Sequence, residues 1–238
     1  MKSAVLFLIF NRPETTIKVF EKIRAARPPK LYISADGPRA NRSGEPERCE
    51  ETRKIALGVD WPCEVKTLFR ESNLGCKMGV ASGIDWFFQN EEEGIILEDD
   101  VLPMPSFFTF CDEMLERYRN DPTIGMITGS NLVSKRVRPD NVGQNNLASY
   151  FVTDISLIWG WATWADVNKS AFVMHDYQSA KDAGFGKIGA WTVLRPPRGC
   201  SWSTTARHSW PVTIWSWWPP PPRRTVSATS SVSTPPAS

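Results

Sequence analysis

The feature that most constrains this sequence is an apolar run that ends directly in three acidic residues, Gly-Ile-Ile-Leu-Glu-Asp-Asp-Val-Leu-Pro at 94–103. The run Ile95–Leu97 predicts a short buried strand, and the closing proline predicts a turn. Adjacent carboxylates repel one another and are costly to bury unpaired, so we expect a positive partner beside Glu98, Asp99 and Asp100. Carboxylate oxygens suit Mg²⁺ or Mn²⁺, which complete their coordination with phosphate and water. The alternative is a solvated acidic turn.

The order of apolar and amphipathic segments predicts an α/β domain. Ala4–Phe10 is a continuous apolar strand of the kind that is covered on both faces. A helix follows, with Asn11 able to act as its N-cap and with Ile17, Phe20 and Ile23 on one face. Further strands are predicted at Leu31–Ala35, Val65–Phe69, Ile124–Ser130 and Tyr150–Val152. Helices are predicted through Leu57, from Met78 to Phe88 and from Phe107 to Tyr118, and polar loops at 41–51 and 135–148. In the helix from Met78 to Phe88, we expect the largely apolar face that carries Met78, Ala81, Ile84, Asp85 and Phe88 to pack on the sheet. The alternation favours a mostly parallel sheet flanked by helices, with ligands at the carboxyl ends of its strands.

Composition excludes several classes of protein. At 238 residues, 41% hydrophobic and 23% charged, the chain can bury one good core. Its net charge of +2 comes without a long basic patch, which argues against nucleic-acid binding. The five cysteines are odd in number and lack metal-ligand spacing, which favours a reducing compartment. Because the apolar run near the amino terminus is too short to span a membrane, we expect a cytoplasmic protein, in solution or at the inner membrane face.

Five short motifs carry a family resemblance. They are Asn11-Arg12-Pro13, Asp36-Gly37, Arg70 with Asn73 and Gly75, Leu97-Glu98-Asp99-Asp100, and Trp159-Gly160-Trp161-Ala162-Thr163-Trp164. In this order and spacing, over about residues 4–180, they resemble the nucleotide-sugar glycosyltransferases of GT-A fold, in particular bacterial relatives of the N-acetylglucosaminyltransferase I type. The resemblance implies one GT-A domain over residues 1–188.

The resemblance also implies a role for each motif. Asn11 and Arg12 would border the nucleotide, and Asp36 would hold the uracil or ribose. Arg70, Asn73 and Gly75 would close over the base and diphosphate, and Asp99 would touch the ribose or sugar. Asp100 with Glu98 would bind Mn²⁺ or Mg²⁺. Trp159 and Trp161 would contact a sugar ring or the acceptor. Without the resemblance, Asp36 is equally an ordinary turn residue, Arg70 a surface ion-pair partner, and the tryptophans core aromatics.

These roles imply transfer of a sugar from a nucleotide diphosphate, most simply UDP, to a hydroxyl of a glycan or glycolipid. A divalent ion that bridges the phosphates neutralises the charge of the leaving nucleoside diphosphate. Inversion at the sugar also needs a general base, usually a carboxylate. The alternative with the same metal site is a nucleotidyltransferase, which would carry a glycine-rich basic loop after the first strand, where this chain has Asn11-Arg12-Pro13.

The composition changes abruptly after about residue 189. No Asp or Glu follows Asp182, and 31 of the 49 residues at 190–238 are Pro, Trp, Ser or Thr, without helix or strand periodicity. We therefore predict a disordered, non-native tail at 189–238 that arose from a shift of reading frame. The alternative is a natural proline-rich tail, although such tails are poor in tryptophan. The general base would then be missing, with Asp154, Asp166 and Asp176 as poor substitutes. The chain would be either an active transferase or a nucleotide-binding remnant of one.

Overall fold

The structure is a computed structural model that describes residues 1–130, 150–153, 157–167, 173–175, 214–216 and 224–228. Within these ranges the helices are α1 (Pro13–Ala26), α2 (Glu45–Ala56), α3 (Gly75–Phe88) and α4 (Pro105–Tyr118). The strands are β1 (Ala4–Ile9), β2 (Lys30–Ala35), β3 (Glu64–Phe69), β4 (Glu93–Glu98), β5 (Ile124–Thr128), β6 (Tyr150–Thr153), β7 (Trp161–Trp164), β8 (Val173–His175), β9 (Ile214–Ser216) and β10 (Arg224–Ala228). None of the described helices is both long and apolar enough to cross a membrane. The predicted loop at 135–148 lies outside the described residues, as do Asp154 and Asp176.

Most of these strands form one mixed sheet in the order β3-β2-β1-β4-β7-β5-β10-β6. β1 lies between β2 and β4 and runs parallel to both, and β3 runs parallel to β2. β7 is antiparallel to both β4 and β5, so β5 runs in the direction of β4. β10 is parallel to β5, and β6 is antiparallel to β10. All but β6 and β7 therefore share one direction, which confirms the predicted mostly parallel sheet.

Each face of the sheet packs on its own set of helices. Along β1, Val5 and Phe7 belong to the larger core cluster, to which α1, α2 and α4 contribute. Leu6 and Leu8 belong to the cluster on the opposite face, to which α3 contributes Phe87. Because successive side chains of a strand point to opposite faces, a strand buried on both sides is apolar throughout. All of β1 is buried, as its sequence predicts.

The first helix differs from its prediction in two details. The N-cap position of α1 is Arg12, without a side-chain cap, so the prediction that Asn11 caps this helix is wrong. The Asn11 amide instead donates a hydrogen bond to Glu45, at the start of α2. Ile17 is 45% exposed and does not share the buried face of Phe20 and Ile23. Tertiary contacts with α2 therefore override the local capping pattern.

Later helices also depart from their predicted limits and faces. Met78 is 54% exposed, although the pattern placed it on the buried face of α3. Gly79 and Gly83 are buried there instead, since the helix backbone approaches the sheet so closely that a Cβ at Gly83 would lie 2.7 Å from Ser34 Oγ. The polar segment at 41–51 was predicted as a loop, but it is helical from its fifth residue onward.

Two pieces of the predicted tail are strands in the structure. β9 pairs with β8, and β10 lies between β5 and β6 in the main sheet. Val226 of β10 is fully buried and belongs to the larger core cluster. In these two segments the structure differs from the predicted disorder, because β10 supplies both ladder hydrogen bonds and an apolar side chain. The rest of 189–238 lies outside the described residues, and the shift of reading frame stays a prediction.

Candidate functional site

The carboxyl ends of β1, β2, β3 and β4 meet at one edge of the sheet. Their parallel registers pair Ile9 with Ala35, Ala35 with Phe69, and Leu8 with Glu98. Neighbouring strands of a sheet are roughly 5 Å apart, so the residues that follow these strands lie side by side. We call this region the carboxyl edge. It brings together the motifs that the sequence placed after four separate strands.

Asp36 is the centre of the hydrogen bonds at the end of β2. Its carboxylate accepts hydrogen bonds from Asn73 Nδ2 at 3.0 Å and from the backbone N–H of Leu74 at 2.9 Å. The Asn73 amide also donates to the Gly37 carbonyl at 2.9 Å, and its oxygen accepts the Gly75 N–H at 3.1 Å. Both oxygens of Asp36 are engaged in these contacts. A ligand would bind this carboxylate only by replacing one of these bonds.

Glycines make this contact between loops possible. A Cβ at Gly37 would lie 2.5 Å from the backbone nitrogen of Ser72, a separation that only glycine avoids. Gly75 has a φ of +78°, a left-handed conformation that glycine adopts without strain. The close approach of the loop after β2 to Ser72 therefore requires Gly37, and Gly75 lets the backbone turn into α3 without strain.

Two arginines form hydrogen bonds that connect the ends of β2 and β3. Arg70 donates to Ser34 Oγ at 3.1 Å and to Ser82 Oγ at 2.7 Å, so its guanidinium lies between β2 and α3. Arg53 of α2 donates to the Arg70 carbonyl at 2.6 Å and to the Asp36 carbonyl at 3.3 Å. Sequence reasoning missed Arg53, because nothing distinguishes it from the other basic residues of its helix. The contact of Arg70 with a base or diphosphate stays a prediction.

Asp99 and Arg12 link the ends of β4 and β1. Asp99 is 6% exposed, and its Oδ2 accepts the backbone N–H of Phe10 at 3.0 Å. Arg12 Nη1 lies 3.4 Å from Asp99 Oδ1 and also donates to Asp100 Oδ2. The Asp100 carboxylate is about half-exposed. The positive partner that the acidic strand end requires is thus a guanidinium of the same chain.

Burial and crowding disfavour the ionised forms of the acidic strand end. Burial, followed by the charges of Asp100 and Asp99, raises the pKa of Glu98 to about 7. Burial also raises the pKa of Asp99 to about 6, although the neighbouring Arg12 acts in the opposite direction. The charge of Arg12 acts against both shifts but does not outweigh burial. A second cation at this position would stabilise the ionised carboxylates.

Glu45 is a further acidic centre, which sequence reasoning missed. Only 5% exposed, it accepts hydrogen bonds from Asn11 Nδ2 at 2.8 Å and from the backbone N–H of Arg39 at 2.7 Å. The Arg39 guanidinium also pairs with this carboxylate, and its hydrogen bond is the main reason why the pKa of Glu45 is lowered to about 2. The Glu-Pro pair that opens α2 is typical of a first helical turn and could have revealed it. Glu45 ties the end of β1 to the loop before α2.

A cavity of about 880 Å³ adjoins these contacts. It lies between the loop that precedes α2 and the segment Glu71–Asn73, and its lining includes Arg39 and Arg42. The cavity shares Asn73 with the Asp36 contact, but Asp99 and Asp100 do not line it. The carboxyl edge therefore has a hollow with arginines in its lining on the β2 side. At the end of β4 it has an acidic cluster, Glu98, Asp99 and Asp100, of which only Asp100 is exposed.

The two predicted sugar-contact tryptophans have different surroundings. Trp161 is 3% exposed and belongs to the core cluster that contains Phe87, so no face of its ring is left for a ligand. Trp159 is 41% exposed. The next residue, Gly160, lies close to the loop after Asp100, since a Cβ at Gly160 would lie 3.3 Å from Val101. A sugar or acceptor contact is therefore open to Trp159, whereas the burial of Trp161 argues against that role. Both contacts stay predictions.

The donor set of the acidic cluster fits a divalent ion. Asp100 offers a half-exposed carboxylate, and Glu98 offers a partly buried one. No group of three or more His, Cys, Asp or Glu residues is arranged to hold a metal ion within the described part of the chain. An ion here would rest on one or two carboxylates, with substrate phosphate and water as its other ligands, which is a common arrangement for Mg²⁺.

The fold and these contacts define an α/β protein with a polar, charged site at the carboxyl edge of a mostly parallel sheet. No protein-family model and no curated protein matches the chain. Solved structures that are similar to it include two of glucosyl-3-phosphoglycerate synthase from Mycobacterium tuberculosis, at 11% and 12% sequence identity and a TM-score of 0.40. The second is a complex with Mn²⁺, UDP and phosphoglyceric acid. Each match covers 71% of this chain, which spans 60% and 58% of those proteins, and at this similarity neither supports a functional argument.

Proposed function

We propose that this chain is a GT-A-type glycosyltransferase domain that transfers a sugar from a nucleotide diphosphate to a hydroxyl acceptor. One observation carries the proposal. The acidic cluster with its guanidinium, Asp99 and Asp100 with Arg12, lies beside the loop contact of Asp36 with Asn73 at adjacent strand ends. Parallel α/β sheets bind ligands at this edge, and a nucleotide diphosphate needs both hydrogen-bonding groups and positive charge there.

The nucleotide half of the site would be the β2 side of the carboxyl edge. The hollow beside Asn73 combines apolar surface with the side chains of Arg39 and Arg42, which suits a base and its charged phosphates. The amide of Asn11 is held by Glu45, which fixes one polar group at the end of β1. UDP is the nucleotide that the family resemblance favours.

The metal half would be the end of β4. Asp100, with Glu98, would hold Mn²⁺ or Mg²⁺, and the ion would neutralise the charge that develops on the leaving diphosphate. Arg12 brings a second positive charge to the same place, and a guanidinium forms strong bidentate hydrogen bonds to phosphate. Asp99 is anchored by the backbone of Phe10 and lies beside Arg12, so it would help to hold Arg12 in place. Its contact with the ribose or sugar stays a prediction.

The acceptor would be a glycan or glycolipid hydroxyl that approaches near the exposed Trp159. Inversion would require a carboxylate base beside that hydroxyl. Of the three candidates that the sequence offers, only Asp166 is among the described residues, where it is exposed. A chain without the base would bind the nucleotide-sugar donor but not transfer its sugar. Such a chain would be a catalytically impaired, nucleotide-binding remnant of the enzyme.

Calorimetric titration of the purified chain tests the proposal. UDP and a set of UDP-sugars are titrated with and without Mn²⁺, and hydrolysis of the best-binding donor is then measured. Metal-dependent binding with turnover supports the active enzyme, and metal-dependent binding without turnover supports the remnant. A chain that binds none of these nucleotides in the presence of Mn²⁺ contradicts both.

A further inference from the structure

Arg12 occupies the position of a counter-ion for the acidic cluster. Its guanidinium lies 3.4 Å from Asp99 Oδ1 and pairs with Asp100 Oδ2. Within the described part of the chain, no other basic side chain comes within ion-pair distance of either carboxylate. The cluster that fits a divalent ion is thus already in contact with an internal cation.

The two ion pairs of Arg12 differ in how firmly they are held. Asp99 is buried and has a second bond, to the backbone N–H of Phe10. The side chains of Asp100 and Arg12 are both about half-exposed, and water can replace their contact at little cost. Asp100 is therefore the carboxylate that can exchange its partner.

The backbone of Arg12 is fixed while its side chain is long and exposed. Its carbonyl accepts hydrogen bonds from the backbone N–H of Thr16 at 3.0 Å and from Thr16 Oγ1 at 2.8 Å, at the first turn of α1. An arginine side chain has several rotatable bonds, so its guanidinium can move over a few ångströms from a fixed Cα. The Arg12 guanidinium therefore stays at the carboxyl edge in each of its side-chain conformations.

We propose that Arg12 is an exchangeable internal cation that competes with the divalent ion for Asp100. Without nucleotide, the guanidinium neutralises Asp99 and Asp100 and weakens metal binding. When nucleotide and metal bind together, the ion takes over Asp100 and the guanidinium turns to the diphosphate. Metal and nucleotide would then bind cooperatively, because the phosphates offer Arg12 a new partner. This inference rests on the proposed function and adds the way in which that site is regulated.

The test is titration of Mn²⁺ alone, followed by UDP at saturating Mn²⁺, into the wild type and Arg12→Met. We expect Arg12→Met to bind Mn²⁺ alone roughly two- to fivefold more tightly, the range for removal of a partly exposed ion pair. We expect its UDP affinity to fall roughly tenfold or more, because hydrogen bonds to charged groups are the stronger class. Arg12→Lys keeps the positive charge but lacks the planar guanidinium with its paired N–H donors. It should restore the wild-type Mn²⁺ affinity and only part of the UDP affinity.

Arg24→Met is the matched control. Arg24 is similarly exposed and pairs with Asp60 on the surface, so this variant loses the same charge at another place. Its Mn²⁺ and UDP affinities should equal those of the wild type. If Arg12→Met binds Mn²⁺ alone no more tightly than Arg24→Met, while UDP still binds the wild type with Mn²⁺, the competition is overturned and the proposed function stands. If the wild type binds no UDP with Mn²⁺, the proposed function fails, and this inference fails with it.

Discussion

The Asn73 side-chain amide donates a hydrogen bond to the Asp36 carboxylate at 3.0 Å, across 37 positions of the sequence. This bond joins the loop after β2 to the loop after β3. Both residues follow apolar strands in the sequence, and the parallel register of β2 and β3 brings them to the same edge. The proposed nucleotide side of the site depends on this contact.

Asn73→Ala should destabilise the fold by about 1–2 kcal/mol, because it removes one side-chain bond and leaves part of the Asp36 carboxylate unsatisfied. Urea unfolding measures the effect, and a double-mutant cycle with Asp36→Ala should show a coupling energy of about 0.5 kcal/mol or more. Asn90→Ala, at the exposed end of α3, is the control and should cost much less. Additive effects of the two site substitutions would contradict the contact.

Asp100→Ala should abolish metal-dependent nucleotide binding, because it removes the exposed carboxylate of the acidic cluster. Calorimetric titration with UDP and Mn²⁺ measures the change. Asp60→Ala is the matched control, since Asp60 pairs with Arg24 on the surface. Unchanged Mn²⁺-dependent affinity in the Asp100 variant would show that the metal binds elsewhere.

Glu45→Gln should lower stability in a way that depends on pH. The folded pKa of about 2 lies below the ordinary value of 4.5, so ionised Glu45 stabilises the fold above pH 4.5 and this contribution is lost as the pH falls through the folded pKa. The difference between wild type and variant should be about 3 kcal/mol at pH 6 and about half of that at pH 3. Urea unfolding across this range measures it. A difference that does not change with pH would show that the carboxylate charge is not involved.

Trp161→Ala and Trp159→Ala should separate packing from ligand contact. Truncation of buried Trp161 should cost about 3–5 kcal/mol, whereas half-exposed Trp159 should cost less than about 1 kcal/mol. Chemical unfolding measures both. Transfer to an acceptor, or the affinity of a UDP-sugar relative to UDP, should fall only in the Trp159 variant. If the two variants lost the same free energy of unfolding, the difference in burial between Trp161 and Trp159 would be contradicted.

Val226→Asp tests whether β10 belongs to the fold. Val226 is fully buried between β5 and β6, so a carboxylate there should cost about 3 kcal/mol or more. Val152 lies opposite it in the register and is 41% exposed, so Val152→Asp is the matched control. If both variants unfold at the wild-type urea concentration, residues 224–228 are not part of the sheet, as the predicted disordered tail requires.

Much of the fold was predictable from local patterns. Apolar runs covered on both faces marked β1, β2 and β4, since a strand buried on both sides is mostly apolar. The same patterns failed for Ile17 and Met78, which fit an apolar periodicity but are exposed. Periodicity gives the spacing of a helix face, but the neighbours in space decide which positions are covered.

The sequence by itself determined that polar groups follow each central strand and that three carboxylates end β4. Only the tertiary structure decided how these groups are satisfied. Parallel pairing set Arg12 against Asp99 and Asp100, and α2 carried Glu45 to Asn11. The reason is physical, because charge and polarity are properties of single residues, whereas a hydrogen bond depends on distances that the packing of strands and helices sets.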